Sequence, residues 1–155
     1  MYTTIVWATD GSELADGALA HVRELARHHH SRIVAVHANE ILTGRYGGAP
    51  LLADEPELED RIGKQVEELR SVGIDATLEI RTGSKHVATL IAEAAEEAGA
   101  DLIVVGTHGR GGFTAALMGS VARALCHTAR MPVLVVPPAQ ADRRAPAEAD
   151  RLAKV

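Results

Sequence analysis

The sequence has 155 residues, of which 46% are hydrophobic and 24% are charged, an ordinary composition for one globular domain with a real core. Its 16 basic and 21 acidic residues give a formal net charge of −5, which argues against a general nucleic-acid binder with a basic face. The one cysteine, Cys126, excludes an intrachain disulfide and a multi-cysteine metal site. No apolar run is long enough to cross a bilayer, and the start MYTTIVWATDGS does not resemble a signal peptide, so we expect a cytoplasmic protein without membrane contact.

Short apolar runs alternate with amphipathic segments along the chain. Strands are predicted at residues 5–8, 33–36, 76–80, 102–105 and 133–136. Helices are predicted where apolar residues recur every three or four positions, from Leu14, from Leu58, from Val87 and from Ser120, the third of them capped by Ser84. This alternation predicts an α/β fold, a parallel sheet with helices on both faces and right-handed crossovers.

Two segments are predicted to lack regular structure. Residues 42–56 contain three glycines and two prolines, which indicates a loop. After Pro137 and Pro138 the composition shifts to Ala, Arg, Asp and Glu with little to bury. We therefore predict one domain over residues 1–138 and a flexible C-terminal tail over residues 139–155.

The segment after the fourth predicted strand carries the pattern that best indicates a ligand. Gly106 and Gly109 are separated by two residues, nine residues follow, and Gly119 then precedes Ser120. Glycines let a ligand approach the backbone, and a helix that begins at Ser120 offers N–H groups to an anion. The spacing leaves two interpretations open, namely a cradle for phosphate and ribose, or a flexible loop followed by a serine cap.

Two better-known glycine motifs are absent from this segment. The Walker motif needs lysine after its last glycine, but Gly112 and Phe113 follow Gly111. The dinucleotide motif GxGxxG needs glycine at position 114, which is Thr114.

Asp10 ends the first predicted strand and also allows two interpretations. Its carboxylate could take ribose hydroxyls or help to hold a metal beside phosphates, or it could form a capping box with Glu13. Ligands of parallel sheets bind beyond the carboxyl ends of the strands, where the strand order reverses. If the first and fourth strands are neighbours, Asp10 and the loop after Gly106 face each other there.

Other polar residues give weaker indications. His37 and His108 follow predicted strand ends and could contact a ligand or face solvent, and Arg110 could meet a phosphate or be solvated. The consecutive histidines at 28–30 point in different directions on a helix, which indicates a polar helix end. Cys126 is expected to be buried in the fourth helix. Since no acid–base pair can be argued, neither catalytic nor metal-binding residues are predicted.

The glycine segment GTHGRGG…MGS resembles the glycine-x2-glycine-x9-glycine-serine/threonine motif of universal stress proteins, and every fixed position matches. VWATDGSELADGALA, VAVHANE and RMPVLVV resemble the family's first strand and helix, second strand and fifth strand, so the resemblance covers about residues 2–138. It implies an open five-stranded parallel sheet of order 3-2-1-4-5 with helices on both faces. It also implies binding of ATP, with or without Mg²⁺.

The resemblance also implies roles for individual residues. Asp10, Ala8 and Thr9 fall on the strand end that contacts adenosine, and Ala38 falls on a backbone contact to adenine. The ribose and phosphate contacts fall on Gly106, Gly109, Gly119, Ser120 and Val121, whereas His108 and Arg110 lie in the loop without being motif positions. The family often dimerises through its last strand, which implies a homodimer through Val133–Val136.

Three functions remain open at this point. The leading hypothesis is a cytosolic regulatory protein of the stress response that binds ATP and turns it over slowly, if at all. The second is a weak ATPase or adenylate-hydrolysing enzyme that uses Asp10 and Mg²⁺. The third is an interaction module that binds another adenine nucleotide, such as cyclic AMP. The sequence does not name a protein partner.

Overall fold

The computed structural model of the protein describes residues 1–41, 55–108 and 118–138. Outside these ranges lie the predicted tail at 139–155, most of the predicted loop at 42–56, and the candidate site residues Gly109 and Arg110.

Strands and helices alternate through the described residues. The strands are β1 (Thr4–Ala8), β2 (Arg32–Glu40), β3 (Ala76–Gly83), β4 (Leu102–Gly106) and β5 (Val133–Val136). The helices are α1 (Asp16–His29), α2 (Glu55–Ser71), α3 (Val87–Glu97) and α4 (Ser120–Thr128), and a 3-10 turn at Glu13–Ala15 precedes α1. In this part of the chain no helix is long and apolar enough to cross a membrane.

The five strands form one parallel sheet in the order β3-β2-β1-β4-β5. The α/β fold and the strand order implied by the family resemblance are thereby confirmed. β1 is the central strand, where Ala8 lies beside Val36 of β2 and Val105 of β4. The strand order therefore reverses between β1 and β4.

Hydrophobic side chains cover both faces of the sheet. On one face Ile5 and Trp7 of β1 pack in a cluster with α1 and α2, and on the other Val6 and Ala8 pack in a cluster with α3 and α4. Every residue of β1 and β4 is buried. Burial on both faces explains why these strands are continuous apolar runs.

Two helix caps differ from the predictions. Ser12 caps the 3-10 turn before α1, because its hydroxyl accepts a hydrogen bond of 3.4 Å from the backbone N–H three residues ahead. The capping box of Asp10 and Glu13 is therefore wrong. His86 replaces Ser84 as the cap of α3, since Nδ1 of His86 accepts a hydrogen bond of 3.3 Å from the backbone two residues ahead.

Three further predictions need correction. β2 and β3 are longer than predicted and stay paired as far as Glu40 and Gly83. α2 begins within the predicted loop, because Pro56 is compatible with the first turn of a helix. Cys126 is exposed and not buried, since the buried side of α4 is formed by Ala122 and Leu125.

Candidate functional site

The carboxyl ends of β1 and β4 lie side by side and then diverge. β1 pairs with β4 as far as Ala8. Thr9 then turns toward β2 and donates its N–H to the carbonyl oxygen of Val36 at 3.1 Å. Thr107 turns the other way, toward β5, and donates its N–H to Val136 at 2.9 Å. β1 and β4 therefore stop pairing where the strand order reverses, which is the usual ligand position in such sheets.

Asp10 lies in a tight turn directly after β1. Its Oδ1 accepts hydrogen bonds from the backbone N–H of Ser12 at 3.0 Å and from the Ser12 hydroxyl at 2.6 Å. The Thr9 hydroxyl accepts a hydrogen bond from the N–H of Gly11 at 3.2 Å. Gly11 has φ +75°, a conformation that favours glycine. The half-buried carboxylate of Asp10 is thus fixed at the end of β1 by its own turn.

The segment from Gly106 to Ser120, here called the glycine loop, has its two ends joined by a backbone hydrogen bond. Gly119 donates its N–H to the carbonyl oxygen of Thr107 at 2.7 Å. A Cβ atom on Gly119 would lie only 2.8 Å from that same oxygen, which is closer than side chains tolerate. The contact therefore requires glycine, and it brings the start of α4 beside the end of β4.

The start of α4 has no side-chain cap among the described residues. Gly119 occupies the cap position, and the first turn carries no acidic residue. Ser120 is exposed, whereas Val121 is half-buried and packs on the cluster that contains Ala8. The first-turn N–H groups of a helix carry partial positive charge and suit an anion.

Two more residues implied by the resemblance lie at this edge. Gly106 is buried against the 3-10 turn, and a Cβ atom there would lie 3.6 Å from Cα of Ala15, an ordinary contact. Ala38 follows Val36 by two residues in β2 and is buried in the same cluster as Ala8. The described candidates thus come together at the carboxyl edge of β1, β2 and β4.

His37 is fully buried within β2, so its interpretation as a solvent-facing loop residue is wrong. The other interpretation, contact with a ligand, stays a prediction. Its Nδ1 lies 3.0 Å from the carbonyl oxygen of Thr9, and its Nε2 contacts Oε1 of Glu55 in α2. Asn39 donates a hydrogen bond to the same Oε1 at 2.7 Å. Side chains alternate between the two faces of a strand, so His37 shares a face with the buried Ile33 and Ala35. This alternation was the signal in the sequence that could have predicted its burial.

Glu55 and Arg61 were missed by the sequence analysis. Glu55 falls in the segment predicted as a loop, and Arg61 has no local partner that would single it out. Arg61 donates hydrogen bonds of 2.5 Å to the carbonyl oxygen of Gly11 and to Oδ2 of Asp16. α2 is therefore anchored to the turn that follows β1.

The remaining candidates contribute little described geometry. His108 is half-buried, and its Nδ1 lies 3.1 Å from the hydroxyl of Thr107. Within residues 1–41, 55–108 and 118–138, no three histidine, cysteine or acidic side chains are grouped to hold a metal ion.

Sequence comparisons show similarity to one family. A model of the universal stress protein family matches residues 1–137. A universal stress protein of Methanocaldococcus jannaschii is 33% identical, covering 88% of this chain and 82% of that protein. One from Thermus aquaticus is 32% identical, covering 88% of this chain and 99% of that protein. A relative from Mycobacterium tuberculosis is 29% identical, and the chain spans only 45% of its length.

Solved structures show the same fold. A universal stress protein from Archaeoglobus fulgidus superposes with a TM-score of 0.71 at 28% identity, covering 88% of this chain and 99% of that one. A structure of the Archaeoglobus fulgidus protein in complex with dAMP gives a TM-score of 0.67 at 28% identity, covering 87% and 98%. A universal stress protein in complex with cAMP shares the fold at 22% identity with a TM-score of 0.64, covering 89% and 98%.

Proposed function

Because the chain belongs to the universal stress protein family, we propose that it is a regulatory protein of the stress response that binds ATP at the carboxyl ends of β1 and β4. The nucleotide acts as a regulatory ligand. We place this function in the cytoplasm and in a homodimer.

One observation carries the proposal, namely the closure of the glycine loop by Thr107 and Gly119. The hydrogen bond of 2.7 Å between them sets the start of α4, which no described side chain caps, next to the end of β4. A phosphate bound there would accept hydrogen bonds from the first-turn N–H groups and interact favourably with the helix dipole. Asp10 lies at the end of the neighbouring strand, which suits a ribose hydroxyl.

The proposed contacts follow the order of the strands along the edge. The backbone of Ala38 in β2 meets adenine, and the end of β1 meets the ribose. The phosphates lie between β4 and α4. The residues assigned to the whole site are Ala8, Thr9, Asp10, Ala38, Gly106, His108, Gly109, Arg110, Gly119, Ser120 and Val121. Support comes from the relative of 28% identity whose structure contains dAMP.

Magnesium fits this site only as a companion of the nucleotide. Mg²⁺ is usually held by one or two carboxylates together with substrate phosphates, and it keeps several waters. Asp10 can supply one such carboxylate at the end of β1. Among the described residues no three acidic, histidine or cysteine side chains are grouped as metal ligands there.

Thermal unfolding with ATP, ADP, AMP and cyclic AMP, each with and without Mg²⁺, tests the proposal. A ligand at 100 times its dissociation constant adds about 2.7 kcal/mol to the free energy of unfolding, which is several degrees for a chain of this size. We expect the largest shift with ATP. A larger shift with cyclic AMP would favour the interaction module, and no shift with any nucleotide would exclude the proposed function.

A turnover assay separates the regulatory function from the enzymatic alternative. If Asp10 and Mg²⁺ hydrolyse ATP, the variant Asp10→Ala must lose the phosphate release that the wild type shows. An equal rate in both proteins would exclude Asp10 as a catalytic group.

The proposed homodimer uses the outer edge of β5. Among the described residues β5 pairs with β4 alone, so β5 is an edge strand of the described sheet. Leu134 is 37% exposed, whereas Val133 and Val135 pack against the core. Antiparallel pairing with a second copy would satisfy this edge and cover Leu134.

A further inference from the structure

A buried histidine lies beside the proposed nucleotide site without belonging to it. His37 is fully buried and directly precedes Ala38 in β2. Its ring contacts the carbonyl oxygen of Thr9 through Nδ1 and the carboxylate of Glu55 through Nε2. One side chain therefore bridges β1, β2 and α2.

Both partners of this ring are hydrogen-bond acceptors. A carbonyl oxygen can only accept, so Nδ1 of His37 must carry a hydrogen to bond Thr9. A neutral imidazole would then turn the bare lone pair of Nε2 toward the carboxylate of Glu55, which is repulsive. A neutral ring with its hydrogen on Nε2 would bond Glu55 but turn a lone pair toward Thr9. The two contacts therefore coexist only when the pair holds one further proton, whether the ring or the carboxyl of Glu55 carries it. Asn39 can donate to Oε1 of Glu55 in both cases.

We propose that His37 and Glu55 form a proton-dependent positioning pair for the nucleotide site. With the shared proton in place, α2 is held against β2 and the end of β1 is fixed. When the proton is lost, one of the two ring contacts, to Thr9 or to Glu55, opens and the strand ends that face the nucleotide loosen. This inference rests on the proposed nucleotide binding.

The pair is connected to the site through the backbone on both sides. Thr9, whose carbonyl oxygen bonds His37, directly precedes Asp10. Ala38 stands between His37 and Asn39, and both of these side chains contact Glu55. The same contact thus holds the two strand ends to which adenine and ribose are assigned.

Other charged groups of the neighbouring elements have partners of their own. On β1 and α1, Asp10 bonds Ser12 and Asp16 pairs with Arg61 of α2. On β3, the residue opposite His37 in register is Ile80, and strand alternation turns Glu79 and Arg81 to the opposite face. On that face Arg81 pairs with Glu97 of α3. Among the described residues, Glu55 is therefore the charged group in contact with the ring of His37.

The sign of the pH dependence follows from the proton count. The ordered site binds the shared proton and the opened site does not, so rising pH favours the opened site. Affinity for ATP should therefore fall as pH rises, by at most about tenfold per pH unit for one proton.

Calorimetric titration of ATP between pH 6 and pH 9 tests this on three proteins. The wild type and the control Glu57→Gln, an exposed residue in the same turn of α2, should lose affinity with rising pH. Glu55→Gln should lose much less, because a glutamine amide can donate to Nε2 of a neutral His37. The ionisation of the nucleotide itself is common to all three proteins, so the difference between their slopes reports the pair.

A nuclear magnetic resonance titration of the His37 ring nitrogens gives a second readout that does not need the ligand. The signals are assigned by their absence from His37→Gln. The Nε2 signal should differ between the wild type and Glu55→Gln, because Nε2 faces a carboxylate in one protein and an amide in the other. Equal affinity slopes in all proteins, or a His37 ring spectrum unaffected by Glu55→Gln, would overturn the inference. Failure of ATP to bind at every pH would instead remove the proposed function, and the ring titration would still decide the proton pair.

Discussion

Arg61 of α2 donates a hydrogen bond of 2.5 Å to the carbonyl oxygen of Gly11, although the two residues are 50 positions apart. The second amino group of Arg61 bonds Asp16 at 2.5 Å, and Gln65 bonds the other oxygen of the same carboxylate at 2.8 Å. These hydrogen bonds fix α2 to the turn that carries Asp10, in addition to the packing of its apolar side on the sheet.

Replacement of Arg61 by Met should therefore loosen this turn. Each charge-assisted hydrogen bond contributes about 1 kcal/mol, less where solvent reaches it, and the Arg61 side chain is 35% exposed. We expect urea denaturation to show a loss of about 1–2 kcal/mol, together with weaker ATP binding. The matched control is Lys64→Met, because the partner of Lys64 among the described residues is Asp60, one turn away on α2, and Lys64 is 73% exposed. Equal effects of the two variants would contradict the anchoring role.

Gly119→Ala should abolish nucleotide binding while leaving the sheet folded. The added Cβ would lie 2.8 Å from the carbonyl oxygen of Thr107, so the bond that closes the glycine loop must lengthen and the start of α4 must shift. We expect an affinity loss of more than about tenfold in calorimetry. Circular dichroism should remain that of the wild type.

Gly63→Ala is the matched control for this substitution. Gly63 lies inside α2, and a Cβ atom there meets nothing within 4 Å. Alanine should stabilise the helix by about 0.5–1 kcal/mol and leave ATP affinity unchanged. If Gly119→Ala retained normal affinity, the closed loop would not be the phosphate cradle.

Asp101 should make the free energy of unfolding depend on pH in the acidic range. Its carboxylate accepts hydrogen bonds from the N–H of Thr3 at 2.8 Å, from the Thr3 hydroxyl at 2.9 Å and from the N–H of Thr4 at 3.3 Å. Burial raises the pKa of the Asp101 carboxyl, but these hydrogen bonds more than offset it, so the pKa lies below its ordinary value.

The sign follows from this lowered pKa. The folded protein favours the ionised carboxyl, so Asp101 contributes stability above its unfolded pKa of about 3.9 and loses it as pH falls through the lower folded value. Asp101→Asn should lower the free energy of unfolding by about 1–2 kcal/mol near pH 7, and this loss should shrink toward pH 3. Denaturant unfolding of both proteins at several pH values measures the loss and its pH dependence. The exposed control Asp75→Asn should lose much less, and an equal loss would contradict the role of the Asp101 hydrogen bonds.

Leu134→Glu should separate the proposed dimer into monomers. A charge on this edge strand would have to be buried against a second copy, whereas in a monomer it remains in water. Analytical ultracentrifugation should report a dimer for the wild type and a monomer for the variant. Val72→Glu is the control, since Val72 is 56% exposed and lies just after α2, away from β5. A dimer that survives Leu134→Glu would place the interface elsewhere.

Local patterns in the sequence were sufficient for the strands and helices but not for their arrangement. The apolar run of β1 and the spacing of Leu14, Ala18 and Val22 predict a strand followed by a helix, and both are present. Strand order is invisible to periodicity, because an apolar run has the same pattern beside any neighbour. The order came from the glycine motif and its family resemblance.

The contacts that hold the site together were beyond sequence reasoning because they join distant residues. The spacing of Gly106 and Gly119 indicates a loop, but it does not reveal that Gly119 bonds Thr107. Burial of His37 depends on α2 covering the end of β2, and the start of α2 was hidden by Pro56. Proline usually signals a break, yet it is also common in the first turn of a helix.

The pairing of Ala8 in β1 with Val105 in β4 joins opposite parts of the chain at the centre of the sheet. Such non-local pairing forms late in folding, because the entropy of closing a long loop must be met before the contact contributes. A ligand held across these two strands would meet its full set of partners only after the central strands have joined. It would thus slow amide hydrogen exchange throughout the sheet and not only in the residues it touches.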